Sequence, residues 1–152
     1  MRARSEMNAE RVMTVSADEL LSLAADVTRA GAGIWVRVRG GSMMPTIERG
    51  SDVLVEPVPS TGVRHGDIVL VRDSSGRPLL HRIVRVANNR VWLKGDFRVT
   101  IDAPVDADAI VGIATQLRRD GKVTALSRSM PNAPLDIFRR WRGYTKDLLR
   151  RG

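Results

Sequence analysis

One serine of this chain is fenced by glycines and a proline. In Gly40-Gly41-Ser42-Met43-Met44-Pro45-Thr46-Ile47, two glycines stand directly before it and a proline three positions after. Glycine lets a backbone approach a ligand without steric cost, and proline fixes the chain just beyond. Such punctuation presents one side chain at a defined place, which a nucleophile needs and a tight turn needs too. A serine hydroxyl is a weak nucleophile until a base takes its proton, and the chain has only two histidines. His65, in Arg64-His65-Gly66-Asp67, reads as an exposed turn residue before a strand. His81 lies inside an apolar strand between Leu80 and Arg82, as a packed core histidine or as a base. Imidazole changes charge near neutrality, which suits it to proton transfer. A base histidine needs an acid to orient it. Asp96 in Lys94-Gly95-Asp96 and Asp102 in Thr100-Ile101-Asp102 both follow a strand end, where a Gly-Asp pair also serves as a plain turn.

The elements that must position these residues are mostly strands. Residues 1–15 read as a loose leader. Ser16-Ala17-Asp18-Glu19 is a capping box, and Leu20, Leu23, Ala24 and Val27 follow at helical spacing. This predicts an amphipathic helix over about residues 17–30, stopped at Gly31. Short apolar runs come next: 34–39, 52–58, 67–72, 79–86, 90–95, 109–117 and 123–126. Asn88-Asn89 and Asp120-Gly121 are hairpin signals, and 73–78 is a strong turn. Strands at this spacing without intervening helices indicate an all-β, barrel-like body. Beyond Pro131 and Pro134 a last helix is expected over about 134–150. Leu135, Phe138, Trp141, Tyr144 and Leu148 give it a ragged apolar stripe, with arginines on its flanks. The division expected is a leader and helix over 1–31, a body over 32–126, and a basic helical tail over 127–152.

Composition narrows the chemistry. With 152 residues and no cysteine, the chain has no disulfide, thiolate metal site or cysteine nucleophile, and no cofactor is expected. The net charge is +8, of which the last 26 residues supply five, through seven basic and two acidic side chains. Such a tail suits an anionic surface. No apolar stretch reaches the 18 residues of a membrane span, and the N-terminus lacks a signal-peptide region. A cytoplasmic protein is expected, with peripheral contact at the inner membrane face through the tail.

The order of motifs is specific. Gly-Ser-Met-x-Pro-Thr at Gly41–Thr46 is followed by Gly50-Ser51-Asp52, where relatives show Gly-Asp. Then come Gly66-Asp67-Ile68-Val69, His81-Arg82, Lys94-Gly95-Asp96, Asp102 and Ile110-Val111-Gly112. Over about residues 34–117 this order closely resembles the signal peptidase I family and its wider serine-peptidase relatives, including the self-cleaving LexA-type repressors. The resemblance implies a LexA/signal-peptidase-like β-barrel or coiled β-sheet body, here with short N- and C-terminal amphipathic helices. It also implies peptide cleavage after small side chains. One branch of the family uses a serine–lysine dyad. The archaeal and endoplasmic-reticulum type uses serine, histidine and aspartates. The position usually filled by Lys-Arg reads His81-Arg82, so the resemblance points to the histidine type. It makes Ser42 the nucleophile, His81 the general base and Asp102 the orienting acid, with Asp96 a supporting acid or turn residue. Lys94 is the rival base.

The chain departs from that family in two ways. Membrane signal peptidases carry an anchor before the serine, whereas here an amphipathic helix stands in its place. Some relatives place a hydroxyl two residues before the nucleophile as an oxyanion donor; Gly40 has none. The first expectation is a serine endopeptidase acting on a precursor or leader peptide. A LexA-like self-cleaving switch is a second, with Ala24-Ala25 and Ala30-Gly31 as cleavable bonds. A non-catalytic module whose basic tail binds membrane or nucleic acid is a third. The tail has aromatics for stacking but no motif for base readout, which counts against nucleic acid.

Overall fold

The computed structural model describes residues 16–129. The leader and the expected C-terminal helix lie outside them. Helix α1 (Ala17–Arg29) begins at the predicted capping box: Glu19 N–H donates to Ser16 Oγ at 3.2 Å, and Ser16 N–H donates to Glu19 Oε2 at 2.7 Å. Eight strands follow: β1 (Ile34–Arg37), β2 (Asp52–Glu56), β3 (Ile68–Arg72), β4 (Pro78–Ala87), β5 (Arg90–Lys94), β6 (Val105–Asp106), β7 (Ile110–Arg119) and β8 (Lys122–Ala125). The body is therefore mainly β with one described helix. The two predicted hairpins form with left-handed turn residues, φ 51° and 59° at Asn88 and Asn89 and φ 49° and 75° at Asp120 and Gly121. That geometry matches the twist of the flanking strands. The two-residue β6 and the 3-10 turn Ala107–Ala109 had no signal in the sequence, being too short to show a period.

All strands join one antiparallel sheet in the order β1-β2-β7-β3-β4-β5-β6. The long β7 organises it: one edge pairs with β2, while the other pairs first with β3 and then with β8. Ile68 and Leu70 of β3 enter one core with Leu21 and Ala24 of α1, Val53 and Val55 of β2, and Met43 and Ile47. The alternate residues Val69 and Val71 enter a second core with Ile83, Val91, Leu93 and Ile113. A strand buried on both faces reads as a continuous apolar run, as Ile68-Val69-Leu70-Val71 does. The sheet curls into a half-barrel around these two cores. Thr28 Oγ1 fastens α1 to β7, donating to the Val111 carbonyl at 3.0 Å.

A charge ladder crosses the β1 edge. Asp52 stands in register with Arg37 on one side and Arg118 on the other, and accepts bonds from both guanidinium groups at 2.6–3.3 Å. The Arg118 guanidinium also lies 4.5 Å from the Trp35 ring centroid. Among the described residues, no helix is long and apolar enough to cross a membrane.

Candidate active site

Three of the sequence-predicted residues meet in one chain of hydrogen bonds. Ser42 lies in the turn between β1 and β2, His81 on β4, and Asp102 in the loop between β5 and β6. His81 Nδ1 stands 2.5 Å from Asp102 Oδ2, and His81 Nε2 stands 2.9 Å from Ser42 Oγ. A carboxylate only accepts, so the Nδ1 position carries the hydrogen. That leaves Nε2 with a lone pair aimed at the serine hydroxyl, the tautomer a general base needs. The imidazole is 1% exposed, so its orientation is fixed by packing as well as by its two bonds.

Backbone contacts hold the three segments together. Phe97 N–H donates to the Ser42 carbonyl at 2.9 Å, tying the serine turn to the loop after β5. Asp102 N–H donates to the Leu93 carbonyl at 2.8 Å, which sets the acid behind the histidine. Gly95 makes this approach possible. A Cβ there would lie 2.5 Å from the Ser42 carbonyl oxygen, 3.0 Å from His81 Nε2 and 3.0 Å from Arg98 Cγ. No side chain fits at that point, because the nearest obstacle is backbone. The glycine of the Gly-Asp pair is thus a steric requirement of the site as well as a turn residue.

Asp96 takes a different place. It does not reach His81; it forms a bidentate pair with Arg82, at 2.9 Å to Nε and 2.8 Å to Nη2, with both side chains fully buried. Asp96 Oδ2 also accepts from Thr46 Oγ1 at 2.5 Å, and Arg82 Nη1 donates to the carbonyls of Gly66 and Ser127 at 2.9 and 2.8 Å. Each guanidinium nitrogen and each carboxylate oxygen of this buried pair has a partner, which a buried ion pair requires. The group links the residue beside the histidine to the residue four beyond the serine. Next to it, Arg128 Nε pairs with Asp67 Oδ1 at 2.6 Å.

A sequence pattern that matches residues 3–114 decides the family question. The chain belongs to the Peptidase S24-like family. The matched span holds Ser42, His81, Asp96 and Asp102. A comparison with curated proteins returns no match. Peptidase S24-like membership is consistent with peptide-bond hydrolysis, and the His81–Ser42 bond with a serine-protease-like site.

The other sequence candidates stand apart. His65 is exposed in its turn. Lys94 sits opposite Arg82 in the β4–β5 ladder and makes no hydrogen bond to Ser42 among the described residues. Sequence reasoning missed Arg82, a fully buried arginine. A signal was available: Arg82 shares strand parity with Leu80 and Val84, and hence an apolar face.

Ser42 opens onto a groove of about 400 Å³. Val36, Val38, Val53, Val55, Leu70 and Leu80 give it apolar walls, and Arg37, Arg39, Ser16 and Ala17 also line it. It follows β1, an edge strand of the sheet. An edge strand offers unpaired backbone groups, and apolar hollows beside it accept alternate side chains of an extended peptide.

Proposed function

We propose that this protein is a serine endopeptidase of the histidine type, cleaving a precursor or leader peptide after a small residue. Ser42 is the nucleophile, His81 the general base and Asp102 the acid that orients it. The observation that carries this reading is the Asp102–His81–Ser42 relay. The Ser42 oxygen attacks the scissile carbonyl as His81 Nε2 takes the hydroxyl proton. The C–N bond then breaks, and the same proton passes to the leaving amine. Water then attacks the acyl-serine as His81 Nε2 takes its proton; the bond between Ser42 Oγ and the acyl carbon breaks, the proton returns to Ser42 Oγ, and the acid product departs. Ser42 N–H is the natural first donor to the oxyanion; losing one such donor costs about 10²–10³ in rate. Asp96 serves as a brace in this scheme rather than an acid facing the imidazole.

The test is cleavage of peptides with a small residue before the bond. Ser42→Ala and His81→Ala are expected to abolish it while circular dichroism stays unchanged, and His65→Ala to retain it. Full activity in Ser42→Ala would sink the serine mechanism.

A self-cleaving switch is the second reading. What favours it is that Ser16 and Ala17 line the same groove as Ser42. Of the two bonds named from the sequence, Ala24-Ala25 lies inside α1 with Ala24 fully buried, which does not present an extended peptide. Incubating purified protein and reading its mass separates the two readings: a shortened chain from wild type but not from Ser42→Ala supports the switch.

A further inference from the structure

The groove accounts for only one side of a substrate. Its lining includes Ser42 and residues of β1 but not the exposed Arg98, so a second stretch of substrate on the Arg98 side remains to be placed. The leaving amine takes its proton from His81 Nε2 and must sit beside that atom. Arg98 Cγ and His81 Nε2 both lie 3.0 Å from the point where a Gly95 Cβ would stand, so they are at most twice that distance apart. The stem of Arg98 therefore borders the place where the leaving segment emerges.

The surface there is apolar and cationic. Val99 is 95% exposed and Ile101 56% exposed, between Arg98 and the orienting Asp102. On the other flank the Arg49 guanidinium lies against Gly41, with Nε 2.9 Å from the position of a Gly41 Cβ. The nearby acids are already engaged: Asp102 by His81, Asp96 by Arg82, and Glu48 by Arg119. Arg98 is exposed and forms no ion pair among the described residues. A charge left open beside a reacting centre selects ligands of opposite sign.

Resting on the serine-peptidase reading above, we infer that Arg98 is a specificity residue for the leaving side of the substrate. It selects peptides with an acidic side chain in the first two positions after the cleaved bond. Val99 and Ile101 supply apolar contact to the residues around that acid.

The experiment compares full-length protein on peptides that differ only at those two positions, carrying Asp, Asn or Lys. Wild type is expected to favour Asp over Lys by about fivefold or more in kcat/KM, as one solvent-accessible ion pair allows, with the gap closing at high salt. Arg98→Glu is expected to reverse the order, and Arg98→Gln to level it. Arg85→Glu, an equal change of net charge over the Trp92 ring, is expected to keep the wild-type order. A loss of activity from a merely structural role would not invert selectivity. Cleavage with the same order in wild type and Arg98→Glu overturns the inference alone. Absence of both cleavage and labelling of Ser42 by a fluorophosphonate overturns the serine-peptidase reading, and the inference with it.

Discussion

Thr46 donates its hydroxyl hydrogen to Asp96 at 2.5 Å, and through that bond the serine turn is locked to the buried Arg82 beside His81. The proposed nucleophile and base sit on separate elements, Ser42 and His81 being 39 positions apart in the chain. Their 2.9 Å contact therefore depends on whatever fixes the turn against β4 and β5. Displacing a reacting group by about 1 Å can cost on the order of 10²-fold in rate, so the brace matters to chemistry without touching a substrate.

Thr46→Val keeps the shape and removes only the hydroxyl. A hydrogen bond to a charged group contributes about 1.5–3 kcal/mol, and a loss of that size in urea unfolding is expected. The drop in kcat should exceed any change in KM, with Thr46→Ser restoring both rate and stability. Equal rates in Thr46→Val and wild type would remove the brace from the mechanism.

Breaking the ion pair itself should be more severe. Asp96→Asn leaves the Arg82 charge fully buried with a weaker partner. Removing one member of a buried pair typically costs about 3–5 kcal/mol. Thermal unfolding is expected to show a large fall in Tm, in contrast to Asp102→Asn, whose carboxylate is partly exposed.

At Gly95 a methyl group meets the Ser42 carbonyl oxygen at 2.5 Å, and backbone has little freedom to yield. Gly95→Ala is expected to cost about 1–3 kcal/mol through overpacking and to push the serine turn away from His81. Fluorophosphonate labelling of Ser42 should slow far more than the stability loss alone explains. Unchanged labelling would mean the turn can shift without harm.

The acid limb of stability should carry the signature of Asp52. The Arg37 guanidinium, and Arg118 after it, hold its carboxyl below the ordinary value of 3.8, against the upward pull of burial. A carboxyl with a lowered folded pKa contributes stability above its unfolded pKa and loses it as pH falls through the folded value. Asp52→Asn should therefore be less stable than wild type at neutral pH, with the gap narrowing below about pH 3.8. Urea midpoints across that range check the sign.

One buried polar atom points the other way. Ser51 is fully buried, and its hydroxyl finds no partner among the described residues. An unsatisfied buried hydroxyl costs about 1–3 kcal/mol, so Ser51→Ala is expected to raise the unfolding midpoint. A fall would place an unseen partner at that hydroxyl.

Much of this was legible in the sequence because it is local. The capping box at Ser16 and Glu19 announced α1, and paired left-handed residues announced two hairpins. The relay was legible through motif order, since Ser42, His81 and Asp102 have no local pattern linking them. The brace was not. Asp96 looked like an acid for the histidine or a turn residue because Gly-Asp gives no direction to its carboxylate. Arg82 drew no role of its own from the sequence, because arginine is seldom fully buried unless paired and its pair, Asp96, comes from another strand end. The need for Gly95 to be bare was invisible for the same reason: the obstacle is the carbonyl of Ser42, far away in the chain.

The tie from Arg82 to the Ser127 carbonyl, with the Arg128–Asp67 pair beside it, has a consequence beyond stability. It pins the segment at Ser127 and Arg128 to the buried Arg82–Asp96 pair. In sequence, the basic stretch from residue 130 onward follows directly on this pinned segment. Any anionic partner held by those basic residues would be kept near the body at an effective concentration set by the length of chain between them and that segment. A weak grip on a lipid surface or on a precursor's own anionic stretch would then raise local encounter with the groove, without any new contact at Ser42. Lengthening the chain just after residue 129 would then be expected to change cleavage of a precursor bound by those basic residues and to leave that of a short free peptide unaffected.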